Sequence, residues 1–371
     1  MSKVSKFFVH PIQFWVDFFG ERNKVVGNYG KTIFAFHIND WKRRFVESIF
    51  PEYDFVYIPF KATDKWLHDN CIAKIVDNVA QSRILVWGMW LPKIIQQNDF
   101  IMSNIPITWV EDGFIRSIGL GSGHVLPASL NFDSRTCYFD ARKESDLEHI
   151  LNTYDFDADV ALMQRAVSLK QRLLSTGISK YNHSKKVDIA NVYGPKRQTR
   201  ILVVGQVEDD ASIAYGCLSD YNNNDIVRIA AYENPDAQII YKPHPDVLHQ
   251  KREKLSDPRD VADICQVLNI DIPLSQSFET IDHVYTISSQ AGFEALLRGI
   301  SVTTLGCPFY SGWGCTDDRQ KNDRRIRKLT VEQILAAAYI LYPKYYHPLY
   351  KNETDVESVL QYFETVLNGD K

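Results

Sequence analysis

The sequence predicts an α/β protein built from two Rossmann-like units facing a cleft, and three observations carry that expectation. From Lys31 onward, short apolar runs alternate with helical patterns. A polar and basic stretch at 179–200 then interrupts the alternation, and from Ile201 it begins again. Strands alternating with helices give parallel sheets, and 371 residues suffice for two domains of ordinary size.

Taken in order, the chain opens with an aromatic segment, Lys3 to Phe19, that begins basic and is interrupted by Pro11. Its composition suits a helix lying in a membrane interface. A helix pair packed on the domain surface would read the same way, since the proline breaks any continuous apolar face. The runs 32–36, 55–58 and 83–87 are predicted strands, with helices at 39–50 and 65–80 between them. A fourth strand, 107–110, ends at Glu111-Asp112-Gly113. Apolar residues at Val160, Met163, Val167, Leu169, Leu173 and Leu174 predict a long amphipathic helix over 157–178. The stretch 179–200, with Gly194-Pro195 and little apolar periodicity, reads as the linker. Strands at 201–204, 238–241, 283–287 and 302–305 follow. The expected division is 1–190 for an acceptor-binding domain, 198–335 for a donor-binding domain, and 336–371 for a helical tail returning to the first. Glycosyltransferases of the GT-B class have this architecture, and so do some epimerases and phosphorylases.

Composition narrows the function. A net charge of −4 and a pI near 6.2 argue against a nucleic-acid partner, which needs a basic face. Six scattered cysteines without a C-x-x-C pair indicate neither zinc nor a disulfide framework, and a reducing cytoplasm fits best. There is no membrane-spanning run and no cleavable signal pattern. No G-x-G-x-x-G follows a strand, so a dinucleotide cofactor is not indicated.

Five strand-end motifs carry the chemistry, four of them in the second half. After Ile201–Val204 come Gly205-Gln206-Val207 and three carboxylates, Glu208, Asp209 and Asp210. Open α/β sheets bind ligands at that edge, although a solvated turn with a helix N-cap uses the same residues. Strand 238–241 runs into Lys242-Pro243-His244-Pro245, where two prolines fix the backbone around groups suited to a phosphate. Ser288-Ser289 precedes a helix containing Gly292 and Glu294, offering hydroxyls and free amides to an anion, with Gly292 permitting close approach. The loop 306–318, with Tyr310 and Trp313 among its glycines, suggests a shaped cover over a sugar or base; such aromatic loops also serve as plugs. In the first half, Glu111 at a strand end would face the second domain's carboxylates, a pairing that can supply an acid/base and a nucleophile.

Together these segments resemble the KpsC-type capsule polysaccharide synthesis proteins, retaining β-Kdo glycosyltransferases. The matching pieces are EDGFIRSIGLGS (111–122), the block from Pro127 through FDARKESDLEHIL (139–151), ISKYN (178–182), VVGQVEDDASI (203–213), YKPHPD (241–246), SSQAGFEALLRG (288–299), PFYSGWGCTDD (308–318) and KLTVEQILAAAYILYPKYYHP (328–348). The resemblance implies CMP-β-Kdo as donor and a glycolipid or polysaccharide acceptor at the inner face of a bacterial cytoplasmic membrane. It implies Asp210 as nucleophile, Glu111 as acid/base, and His244, Ser288 and Ser289 as ligands of the cytidine monophosphate. Gln206, Lys242, Gly292 and Glu294 are expected in the same donor site, and Arg116 is expected against the Kdo carboxylate. With one phosphate in the donor, no metal and no further cofactor are expected. Known members carry two catalytic modules, whereas this chain carries one set of motifs. Two alternatives follow: the same fold using CMP-sialic acid or another nucleotide sugar, and a non-catalytic polysaccharide- or lipid-binding scaffold.

Overall fold

The protein is described by a computed structural model covering residues 24–25, 30–119, 125–180, 182, 187–248 and 255–369. The aromatic segment at 3–19 lies outside the described residues. Among those described, no helix is long and apolar enough to cross a membrane.

Two sheets organise the chain. The first has eight strands in the order β1 (Lys24–Val25), β3 (Asp54–Tyr57), β2 (Thr32–Phe36), β4 (Ser82–Trp87), β5 (Ile107–Asp112), β6 (Ser129–Asp133), β13 (Pro343–Tyr346) and β14 (Glu353–Thr354). Its centre, β3-β2-β4-β5, is parallel, in registers such as Phe34 opposite Val56 and Ile84. β2 is buried on both faces through Ile33, Phe34, Ala35 and Phe36, as a central strand covered on two sides must be. The second sheet runs β12 (Asp317–Asp318), β11 (Ser301–Thr304), β10 (His283–Thr286), β7 (Arg200–Val204), β8 (Gln238–Lys242) and β9 (Gln266–Val267), with every neighbouring pair parallel. Helices that frame the sheets and the cleft include α1 (Asp40–Ile49), α2 (Val160–Thr176), α3 (Ala211–Gly216), α4 (Asn223–Glu233), α5 (Gln290–Leu297) and α6 (Val356–Gly369).

The expected α/β class with two facing units is the architecture observed. Two segments differ from expectation. The stretch read as a linker is docked in its second half: Ile189–Tyr193 forms a helical turn whose Ile189 and Tyr193 are buried, and the Tyr193 hydroxyl donates to the carbonyl of Ser277 at 2.9 Å. The segment 336–371 is not wholly helical. Pro343 stops the helical run and takes the first position of a strand, where its missing N–H costs least. The alternation that follows, with Lys344 exposed and Tyr345 and Tyr346 buried, places β13 antiparallel to β6, with Lys344 opposite Leu130.

α6 then follows, burying Val356, Val359, Leu360 and Phe363, a helical stripe at i, i+3, i+4 and i+7. Two ion pairs reach it from α2, Arg165 to Glu357 at 2.6 Å and Arg172 to Glu364 at 2.7 Å. These half-exposed pairs fix register more than they stabilise, since such pairs contribute about 0–1 kcal/mol.

The largest core is shared between the two halves. Phe114 of the first packs 4.6 Å from Phe309 and 5.4 Å from Tyr339, while Phe293 of α5 lies 5.2 Å from Phe309. The Gln290 side chain donates to the carbonyl of Phe114 at 3.0 Å and to the Tyr339 hydroxyl at 3.0 Å. This seam forms the floor on which the cleft rests.

Candidate functional site

The cleft is a cavity of about 550 Å³, lined mainly by residues at or just after the ends of β4, β5, β7, β8, β10 and β11, joined by residues of the 138–139, 179–180 and 271–274 segments. The strand-end residues stand at carboxyl edges, and the volume falls in the range of small-molecule sites. In the second sheet the strand order reverses at β7, with β8 on one side and β10 on the other. A crevice opens there because the connections leave in opposite directions.

The acidic turn after β7 divides its labour. Glu208 is fully engaged by backbone and hydroxyl groups: it accepts from the amides of Asn223, Leu255 and Ser256 at 2.8, 3.0 and 2.8 Å, and from the Ser256 hydroxyl at 2.5 Å. It pins the turn and does not line the cleft. Asp209 and Asp210 do line it. Asp210 is the N-cap of α3, accepting from the Ser212 amide at 2.8 Å. The cap fixes the carboxylate's direction while its residue remains exposed to the cavity.

Gln206 bridges the crevice. Its side-chain oxygen accepts from the Ser288 amide at 2.7 Å, and its amide group donates to the Ser288 hydroxyl at 3.2 Å. The Ser288 hydroxyl in turn donates to the Ser212 carbonyl at 3.2 Å. Ser289 caps α5 by accepting from the Ala291 amide at 3.2 Å. Both serines line the cavity.

Lys242 and His244 also line it. Lys242 is buried, which lowers its pKa against the opposing pull of Asp271, and its Nζ donates to the Ile272 carbonyl at 2.9 Å. Burial likewise lowers the His244 pKa, opposed by Asp246 and Asp210. Its Nδ1 accepts from the Asp246 amide at 3.1 Å, so the neutral ring carries its proton on Nε2, a donor. Glu294 sits fully buried on the cavity floor; desolvation pushes its pKa up to about 7, against the Arg298 charge.

From the first domain, Glu111 and Asp112 close the opposite wall. Asp112 meets two cations, the Lys42 ammonium at 3.4 Å and the Arg116 Nε at 2.8 Å. Burial works to raise its pKa, but Lys42, Arg116 and Lys180 outweigh it and hold Asp112 below the usual carboxylate range. Among the described residues Glu111 has no such ion pair; its Oε1 accepts from the Asp112 amide at 2.8 Å. Desolvation first, then the Asp112 charge, pushes it up to about 7. Two adjacent carboxylates are thus driven apart in acidity, the pattern that separates acid/base roles. The half-buried Tyr138 feels the charge of both Glu111 and Asp210 and lines the same cavity.

Three expected contacts are corrected. Arg116 is 1% exposed and spends its guanidinium on Asp112, the Ser117 hydroxyl (2.8 Å) and the Val125 carbonyl (3.3 Å), so it orients Asp112 and does not line the cleft. Tyr310 and Trp313 are completely buried and serve as plugs. The Tyr310 hydroxyl donates to the Ser289 carbonyl at 2.5 Å, and the Trp313 indole donates to the Phe309 carbonyl at 2.9 Å. From that loop Cys307, Pro308 and Phe309 reach the cavity instead. Gly292 permits a close approach, but by Tyr310: a Cβ there would stand 2.1 Å from its hydroxyl.

Sequence reasoning missed Trp87, Trp90, Tyr138 and Lys180 as lining residues. Lys180 stands within the matching piece 178–182, a signal that was present without a role attached.

The fold and this cleft define a GT-B-class α/β protein with one carboxylate wall on each domain. The model for the family described as "Capsule polysaccharide biosynthesis protein" matches residues 82–345, and the chain belongs to that family. It is 41% identical over 353 residues to the lipopolysaccharide-processing protein LpsZ of Rhizobium meliloti, covering 94% of this chain and 78% of that protein. It is also 41% identical over 281 residues to the capsule polysaccharide modification protein LipA of Neisseria meningitidis, covering 76% of this chain but only 39% of LipA. Among solved structures, it is similar to the β-Kdo 2,7-transferase of Thermosulfurimonas dismutans KpsC, with 30% identity, a TM-score of 0.72, and coverage of 92% of this chain and 100% of that one. The β-Kdo 2,4-transferase of the same KpsC is similar too, with 28% identity, a TM-score of 0.74, and coverage of 90% and 98%.

Proposed function

We propose that this protein is a retaining glycosyltransferase that moves β-Kdo from CMP-β-Kdo to a glycolipid or polysaccharide acceptor in capsule biosynthesis. The observation that carries the reading is that Asp210 of the second domain and Glu111 of the first line one cavity, with Ser288, Ser289 and His244 gathered beside Asp210. The similarity to two Kdo transferases supports the donor.

In the first displacement the Asp210 carboxylate attacks the anomeric carbon. The bond from that carbon to the CMP phosphate breaks, and its electron pair leaves with the phosphate. Groups at that end of the cavity stabilise the charge: the His244 Nε2–H, the Ser289 hydroxyl and the positive N-terminal end of α5. In the second displacement an acceptor hydroxyl attacks the same carbon, the aspartyl ester bond breaks, and Glu111 takes the hydroxyl proton. Two inversions give net retention. A base with a pKa near the working pH serves this step best.

The test is incubation with freshly generated CMP-Kdo and a synthetic acceptor ending in β-Kdo, with product read by mass spectrometry and NMR. A product one Kdo heavier with a β linkage supports donor and stereochemistry together. Binding of CMP-Kdo without transfer would count against the acceptor; no binding would reject the donor in favour of CMP-sialic acid or another nucleotide sugar. Turnover unaffected by Asp210→Asn would reject the nucleophile, and absence of turnover with every donor would favour the scaffold reading. We further place the protein peripherally at the cytoplasmic face of the inner membrane through residues 1–19. Persistent membrane association after their deletion would overturn that placement.

A further inference from the structure

On the acceptor side of the cleft, one group of residues has no part in the donor chemistry. Trp90 follows β4 by three positions and is 67% exposed, although it lines the same cavity as Glu111. Phe60, after β3, is 49% exposed. Between them stands His37, immediately after β2, with its ring 5.2 Å from Phe60 and 6.0 Å from Trp90. We propose that Trp90, backed by His37 and Phe60, is the platform on which a sugar ring of the acceptor stacks while its hydroxyl is presented to Glu111. The inference rests on the glycosyltransferase reading and adds the residues that hold the acceptor.

Three independent observations converge on it. The first is topological: the strand order of the first sheet reverses between β2 and β4, and His37 and Trp90 follow those two strands. Crevices at such points take ligands. The second is backbone strain. His37 adopts φ +57°, in the left-handed region where a side chain costs energy, and such conformations cluster at binding sites.

The third is proximity. Gly88 adopts φ +54°, and a Cβ built there would meet Trp90 Cδ1 at 3.4 Å and Glu111 Oε2 at 3.5 Å. The indole edge and the carboxylate therefore lie within about 7 Å of each other, so a ring on the indole brings its hydroxyls to the base.

The chemistry selects a saccharide. A pyranose has an apolar C–H face that packs on an indole and a rim of hydroxyls that needs polar partners. A tryptophan offers a large rigid face at low conformational cost. Burial lowers the His37 pKa, so its neutral ring can both donate to and accept from a sugar hydroxyl. A tryptophan serving the core would be covered, whereas this one is two-thirds open beside the reacting centre.

The experiment compares the full-length protein with Trp90→Ala and Trp90→Phe, using CMP-Kdo and an oligosaccharide ending in β-Kdo. Trp90→Ala should raise the acceptor KM at least tenfold while the donor KM moves less than twofold, and Trp90→Phe should restore most of the acceptor affinity. His37→Gly should relieve the backbone strain and so keep or raise Tm, yet still weaken the acceptor. An unchanged acceptor KM in Trp90→Ala, or an equal rise in both KM values, would overturn the platform. If the unaltered protein neither transfers from CMP-Kdo nor binds it, the donor reading fails separately. The platform is then decided by saturation-transfer NMR of the oligosaccharide without donor. A signal on the unaltered protein that Trp90→Ala abolishes supports it, and no signal, or the same signal on both, rejects it.

Discussion

Gln206 and Ser288 are joined by two hydrogen bonds across the point where the second sheet reverses its strand order, the glutamine oxygen accepting from the serine amide at 2.7 Å and its nitrogen donating to the hydroxyl at 3.2 Å. This seam fixes the spacing between the β7 turn, which carries Asp210, and the start of α5, which carries the serines. Gln206 is itself held by Asn223, which accepts from its backbone amide and donates to its carbonyl, both at 2.9 Å. The proposed nucleophile and the serines proposed to bind the donor are therefore positioned by one shared side chain.

Replacing Gln206 by Ala should leave the Ser288 amide without its partner, at a cost of about 1–3 kcal/mol. Donor affinity should fall roughly tenfold, equivalent to about 1.4 kcal/mol. Gln206→Glu keeps an acceptor for the amide but adds negative charge beside the departing phosphate. It should fold better than the Ala variant and bind CMP worse. Calorimetric titration with CMP, paired with thermal melts, checks both halves; equal CMP affinity in Gln206→Glu and the unaltered protein would remove Gln206 from the donor site.

The proposed mechanism gives Asp210 a second job besides capping α3, and substitution can separate the two. As N-cap of α3 it contributes about 1 kcal/mol, lost in Asp210→Ala and kept in Asp210→Asn, whose side-chain oxygen caps equally well. As nucleophile it needs the carboxylate. Asp210→Asn should keep Tm and CMP binding and lose at least a thousandfold in transfer rate, while Asp210→Ala loses the same activity and some stability as well. Transfer by the Asn variant at more than a tenth of the normal rate would show that the residue only caps its helix.

Most of the two sheets was readable because their central strands are buried on both faces and so are written as unbroken apolar runs, such as Ile201–Val204. β6 was not readable for the opposite reason. Ser129, Asn131 and Asp133 are buried polar residues, and they read as loop until their partners are known. Ser129 donates to the Ile115 carbonyl at 2.5 Å, Asn131 to the Asp112 carbonyl at 3.2 Å, and Asp133 accepts from the Thr136 amide at 3.0 Å. The strand-end motifs of the cleft were legible because glycines, prolines and capping serines announce a chain turning at a sheet edge. Which aromatic faces inward is a property of packing. Trp313 is sealed beneath Arg325, whose guanidinium donates to the Pro308 and Ser311 carbonyls at 2.5 and 2.7 Å. Trp90 stands open although its immediate neighbours, Met89 and Leu91, are more apolar than the two glycines beside buried Trp313, so local sequence alone points the wrong way.

The acidity of Glu111 makes a prediction about pH. A general base works only when deprotonated, so the acid limb of kcat/KM should rise with an apparent pKa near the value of about 7 to which burial and the Asp112 charge push this residue. Asp112→Asn removes the neighbouring negative charge and leaves the Lys42 cation, which already pulls the Glu111 pKa down, without its counter-ion. Both changes favour the ionised form, so the acid limb should move to lower pH by at least one unit. A limb that stays in place, or moves up, would show that Glu111 is not the titrating base.

Glu294 should reveal itself in stability. It is wholly buried on the cavity floor, its Oε2 has no hydrogen-bond partner, and desolvation raises its pKa from 4.5 to about 7. A carboxyl whose pKa is raised on folding favours the native state while protonated. That advantage is complete below the unfolded value and is lost as pH rises toward the folded one, at a cost on the order of 3 kcal/mol above pH 7. Glu294→Gln removes the titration while keeping the shape. The variant should therefore melt close to the unaltered protein at pH 5 and several degrees higher at pH 8. Because the comparison is between two pH values, a general effect of the substitution on packing cancels. Equal Tm differences at both values would mean that Glu294 is already charged at pH 5, held so by Arg298 and the Lys180 amide, and that the cavity floor presents a fixed negative charge to whatever enters the cleft.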